Sequence, residues 1–160
     1  IDETPRDEKA YARYKNLLSS DGAKTPDLSN GRHLFMRTCG SCHKMYGQGG
    51  QIGPDLTGSN RSNTDYLLFN ILNPSEEIQD DYKMVVVTTR DGRTYSGNIV
   101  GENQRQITMR VVGQNDVVIS KSSIQSKEVT PVSMMPQGLL NNLTDKETID
   151  LLSYLQKANK

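Results

Sequence analysis

The chain's two cysteines, Cys39 and Cys42, and one of its two histidines, His43, fall within the five residues "CGSCH". Such a cluster suits several chemistries. A structural zinc site takes four ligands, and beyond these three the chain offers only His33, so a closed site is thinly supplied. A thioredoxin-like redox pair sits at a strand-to-helix junction within a βαβ unit. The residues before Cys39 instead carry a helical pattern, and no βαβ unit is evident. A plain disulfide across two residues leaves His43 unexplained.

The remaining chemistry is covalent attachment of a c-type haem, for which C-x-x-C-H is the signature. Each thiol adds to one of two vinyl groups on one edge of the porphyrin, and the adjacent histidine supplies an axial imidazole. The composition agrees. The chain has no Trp, two Phe and a hydrophobic fraction of 34%, so a macrocycle would fill a core that is otherwise poor in aromatics.

A Met thioether opposite the histidine raises the reduction potential of such a haem. Of the six methionines, Met36 and Met45 stand too near His43 in sequence to reach the opposite face easily, and Met84 and Met109 lie in strand-like runs where a core role is expected. "PVSMMPQGLL" is a loop bracketed by prolines, and Pro136 restricts the residue before it. Met135 is therefore favoured over Met134, with one methionine binding iron and its neighbour packing on the porphyrin. His33 is expected on the surface of the helix leading to Cys39.

The elements that must position these residues read as helices flanking a β segment. Residues 5–18 suit a helix, with Pro5 in its first turn and Tyr11, Tyr14 and Leu18 on one face. A second helix starts near "LSNGRHLFMRTC", with Ser29 or Asn30 as its cap. Residues 44–63 form a long Gly- and Asn-rich loop of the kind that is usually functional or disordered. Helix returns at "NTDYLLFNIL", capped by Asn63 or Thr64 and ended by Pro74. Residues 82–129 alternate as strands around an Asp-Gly turn, giving a small antiparallel sheet stabilised partly by packing on the rest of the chain. In the last helix, Thr144 and Glu147 fit a capping box.

These pieces, in this order, resemble a class I cytochrome c. "GRHLFMRTCGSCH" looks like its first helix and attachment site, "GPDLTG" like the loop after the histidine, and "MPQGLLNNLTDKETIDLLSYLQ" like the ligand loop and last helix. The resemblance implies a mainly α cytochrome c fold interrupted by a small antiparallel β-sheet insertion. It also implies that the Pro54 carbonyl fixes the His43 ring, that Gly31 allows α-helices to cross closely, and that Phe35 meets Leu151 or Tyr154. With "NILNPSEEI" and "VVVTTRDGRTYSGNIV", the chain is similar to a haem-binding family described chiefly from planctomycete bacteria, in which the domain often ends larger proteins. The expected division is a 1–28 helical extension and linker, a haem domain of 29–81 with 130–160, and the β insertion at 82–129. The Ile, Val and Met side chains of that insertion would wall one side of the haem.

The expected function is a monohaem c-type cytochrome carrying single electrons. His43 and Met135 would ligate the iron, and Cys39, Cys42 and Pro54 would complete the cofactor site. No catalytic side chains are evident, so an electron carrier rather than an enzyme is expected, with a dehydrogenase or oxidase as redox protein partner. The alternatives are a ligand-binding sensor or peroxidase-like domain with a displaceable Met, and a docking or relay module of a larger dehydrogenase. Lys plus Arg equals Asp plus Glu at 19 each, which gives no electrostatic case for nucleic acid. Arg32, Arg37, Lys44 and Arg61 suggest a mildly basic docking face, and Arg61 or Arg32 are candidates to pair with haem propionates. The longest apolar run, Met84–Val87, is far short of a membrane span. Covalent haem implies a compartment outside the cytoplasm, normally the bacterial periplasm. The start at Ile1 rather than Met is consistent with a removed upstream segment.

Overall fold

The computed structural model describes residues 8–76, 78, 80–112 and 114–159. Within them the chain folds into α1 (Glu8–Leu18), α2 (Leu28–Thr38), β1 (Lys44–Met45), β2 (Gln48–Gly49), α3 (Thr64–Leu72), β3 (Lys83–Thr89), β4 (Thr94–Glu102), β5 (Gln106–Arg110), β6 (Val117–Ser120), β7 (Ile124–Ser133) and α4 (Asp145–Lys157). The architecture is mixed α+β. The expected start of α1 at Pro5 lies outside the described residues.

Local sequence sets the helix ends. α2 is capped by Asp27, whose carboxylate accepts the Asn30 N–H at 3.0 Å, rather than by Ser29 or Asn30. Asp27 precedes both and offers the first acceptor in reach of the free N–H groups. Asn63 caps α3 by accepting the Tyr66 N–H. The α4 box forms as the spacing predicts, with Thr144 and Glu147 exchanging bonds of 2.9 and 3.1 Å.

α2 and α4 cross where Gly31 meets Asp150. A methyl group on Gly31 would lie 2.2 Å from the Asp150 carbonyl oxygen and 2.6 Å from Tyr154 Cβ, so no larger residue permits this approach. One turn on, the Phe35 and Tyr154 rings meet at 5.8 Å. Asp150 reinforces the crossing by accepting bonds from the Asp27 N–H, Asn30 Nδ2 and Lys146 Nζ. Leu34, Phe35, Leu68, Leu151 and Leu152 form the heart of one core that the four helices share.

The sheet has the strand order β6-β5-β4-β3-β7, antiparallel throughout. It is large, not the small insertion expected. The added strand is β7, ten residues long, and it runs on to Ser133. It escapes a pattern reading because none of its side chains is fully buried and it contains Pro131. Backbone pairing on β3 holds it at the edge, where proline is tolerated. The sheet also has its own core, Val85, Val87, Ile107, Met109 and Ile119, distinct from the helical one. Its apolar side chains pack on each other and so do not wall the site.

Candidate functional site

The site grows from the end of α2. After Thr38 the chain makes one more helical turn, with the Cys39 carbonyl accepting the N–H groups of Cys42 at 3.1 Å and His43 at 2.9 Å. Residues at i, i+3 and i+4 share a face of such a turn. The C-x-x-C-H spacing therefore brings both thiols and the imidazole to one wall.

The loop after His43 has little regular structure but is held by backbone bonds. Gly53 N–H donates to the Cys42 carbonyl at 2.7 Å, and Leu56 N–H to the Lys44 carbonyl at 2.8 Å. This fold-back lays Gly53 against the imidazole, where a Cβ would stand 2.5 Å from His43 Cε1. It also places the Pro54 carbonyl 2.8 Å from His43 Nδ1. A carbonyl only accepts, so Nδ1 carries the proton and Nε2 keeps its lone pair for a metal. Burial pushes the His43 pKa down, opposed by the bond to Pro54, and so favours the neutral ring.

Burial pushes the Cys39 thiol up to about 12, with the charge of Cys42 adding to the shift, and burial also raises Cys42. Both cysteines are free. A redox dithiol works through a depressed pKa, so these neutral sulfurs do not suit thiol–disulfide exchange.

Both thiols and the imidazole face a cavity of about 450 Å³. Its size falls in the range of cofactor pockets. Ile52, Leu56, Leu67, Ile71 and Leu139 give it apolar walls. Of the six methionines, Met134 and Met135 line it. Met45 is buried in the helical core, Met109 in the sheet core, and Met36 is exposed. His33 is exposed on α2, as its position suggested. Among the described residues no group of three or more His, Cys, Asp and Glu is placed to hold a metal ion. The donors thus suit an iron delivered inside a macrocycle: two thiols and one imidazole on a wall, thioethers on a loop, and apolar space between.

Three sets of contacts escaped the sequence reading. Arg61 lines the cavity but spends its guanidinium on the end of α4, with Nη1 donating to the Leu155 and Ala158 carbonyls at 2.9 and 2.8 Å. Its Nη2 donates to the Tyr46 hydroxyl, 2.6 Å away, and that hydroxyl donates to Ala158 O. A cation at a helix C-terminus is favourable. This lock ties the loop to the end of α4. Arg32 donates to Gln48 and lies outside the cavity lining. Third, the Met135 N–H donates to Ser133 Oγ at 3.0 Å, and the Ser133 N–H donates to Ser75 Oγ at 3.1 Å.

A second, more open hollow of about 390 Å³ lies on the sheet among Thr89, Arg90, Tyr95 and Ser120, with no thiol or imidazole in its lining.

Residues 26–87 match the family model described as "Cytochrome C oxidase, cbb3-type, subunit III". This segment is similar to a c-type cytochrome domain. The match takes in α2, the Cys39–His43 turn, the Gly53–Pro54 loop and α3, and it stops within β3, before Met134 and Met135. It supports haem-based electron transfer, with haem c and its iron as the cofactor. No curated protein matches the chain. Among the described residues no helix is long and apolar enough to cross a membrane.

Proposed function

We propose that this chain is a monohaem cytochrome that carries single electrons through a haem attached covalently at Cys39 and Cys42, with His43 and Met135 as axial ligands. The observation that supports the reading best is the shared cavity. Both thiols and an imidazole with a free Nε2 face it from one side, and the adjacent pair Met134 and Met135 line it from the loop before α4.

When bound, haem c supplies an iron that takes up and releases one electron by cycling between its ferric and ferrous states. The chain's own residues do the rest. Pro54 holds the His43 ring in one tautomer. Gly53 lets the loop close on that ring. The apolar walls exclude water from the metal, and the Arg61–Tyr46 lock fixes the loop to α4. In this reading the chain is an electron carrier, in keeping with the c-type cytochrome match over residues 26–87.

The haem-holding unit is then the helical part of the chain, following an N-terminal helical extension, and the sheet is an insertion before the ligand loop, as in the planctomycete-type family. A dehydrogenase or oxidase would be the redox partner, and the periplasm its compartment.

The test is the absorption spectrum of the haem-loaded protein. Oxidised protein should show a far-red thioether-to-iron band that Met135→Ala abolishes and Met134→Ala leaves in place. Loss with Met134→Ala alone would move the ligand by one residue. Rapid CO binding to reduced wild-type protein would favour a displaceable methionine, hence a sensor or peroxidase-like role.

A further inference from the structure

The sheet has no evident part in holding a haem, since its apolar face packs on itself. Its edge strand, however, leads straight into the ligand loop. β7 ends at Ser133, and Met134 and Met135 follow at once. The last stretch of that strand is irregular. Val129 pairs with Val85, and Ser133 with Lys83. Between these pairs β3 uses one residue, Met84, while β7 uses Thr130, Pro131 and Val132. Two extra residues thus bulge from β7. A bulge bends its strand, and bulges recur next to functional sites, where they re-aim a side chain.

The bulge is secured by side chains. Thr130 Oγ1 donates to the Met84 carbonyl at 2.9 Å and accepts the Val132 N–H at 3.3 Å. Pro131 has no N–H to leave unpaired. Past the bulge, Ser133 faces two ways. Its N–H reaches Ser75 Oγ, on the turn that follows α3, and its hydroxyl accepts the Met135 N–H. Ser133 and Met135 both line the cavity. The ligand loop is therefore fastened at one residue to the helical unit and to the sheet.

From this geometry we infer that Ser133, held by Ser75, is a positioning residue for the distal ligand, and that the bulged edge of the sheet is the scaffold that presents Met135 to the iron. The inference rests on the His43/Met135 reading and gives the sheet a role in setting the redox poise. Loss of either hydroxyl frees the loop and raises the population in which the methionine is off the metal. Outer-shell partners of metal ligands are typically worth about 10–100-fold in affinity.

The experiment uses the full haem-loaded chain and compares Ser133→Ala, Ser75→Ala, Ser133→Thr and Met135→Ala. The readouts are the far-red thioether band, the reduction potential and the rate of CO binding to reduced protein. Ser133→Ala and Ser75→Ala should each weaken the band, lower the potential and speed CO binding by about tenfold. Ser133→Thr, which keeps the hydroxyl, should stay close to wild type. Ser75→Ala is made in the turn after α3, outside β7, so it reports on the clasp even where Ser133→Ala disturbs the strand. Wild-type bands and CO rates in both alanine variants, with the band lost in Met135→Ala, would overturn the positioning role and leave the ligand assignment intact. Equal effects of alanine and threonine at 133 would also overturn it. A band that survives Met135→Ala would remove the ligand reading, and this inference with it.

Discussion

At the scale of single residues, the site depends on what glycine allows. Gly53 touches the His43 ring so closely that a methyl would stand 2.5 Å from Cε1 and 2.7 Å from Nδ1. Overpacking of this kind costs about 2 kcal/mol, which in a chain of this size lowers Tm by about 4–8 °C. Gly53→Ala should show that loss in a thermal melt of the haem-loaded protein. Gly22→Ala is the control, because it lies outside the cavity lining and a methyl there makes only ordinary contacts, at 3.6 Å from Ile149 and 3.8 Å from Ser20, so Tm should hold. That Cys39, Cys42 and His43 share one wall could be read because C-x-x-C-H is local, and one helical turn is enough to bring its three side chains together. The Tyr46–Arg61 lock and the Ser75–Ser133 clasp were not. Ser133 and Ser75 stand 58 positions apart, and Tyr46 and Ala158 stand 112 apart. No periodicity links such pairs.

At the scale of elements, the α2–α4 crossing carries a charge that titrates. Burial pushes the Asp150 carboxyl up, but bonds from Lys146, Asn30 and the Asp27 N–H outweigh it and leave its pKa below the ordinary value. A carboxyl depressed in the folded state stabilises the fold at pH above its unfolded pKa, about 3.9. That contribution is lost as pH falls through the lower folded value. Asp150→Asn should therefore cost about 1–3 kcal/mol at neutral pH, and the gap between its denaturation curve and that of wild type should narrow below about pH 4. A gap that stays constant into acid would show that the charge of Asp150 contributes nothing. Helix positions were legible from caps and apolar spacing, and the capping box at Thr144 formed as read. α2 starts earlier than expected because Asp27 supplies a cap the apolar pattern does not mark. β7 was missed because an exposed edge strand is held by its backbone rather than by buried side chains.

At the scale of the whole molecule, the helices and the sheet build separate cores, yet they meet at the cavity through Ser133 and the two methionines. The helical unit brings the thiols and imidazole, and the edge of the sheet brings the thioether. Removing residues 82–129 would then take away β3 and with it the strand on which β7 is paired, so the truncated chain should keep covalent haem but lose the far-red band. The central claim is simpler than any of these devices and is tested most directly by the intact mass of the chain after expression with a haem-ligation apparatus. The account predicts a coloured protein heavier than the polypeptide by one haem, with the increment lost when Cys39 and Cys42 are both changed to alanine. A colourless product at the mass of the bare chain would contradict it.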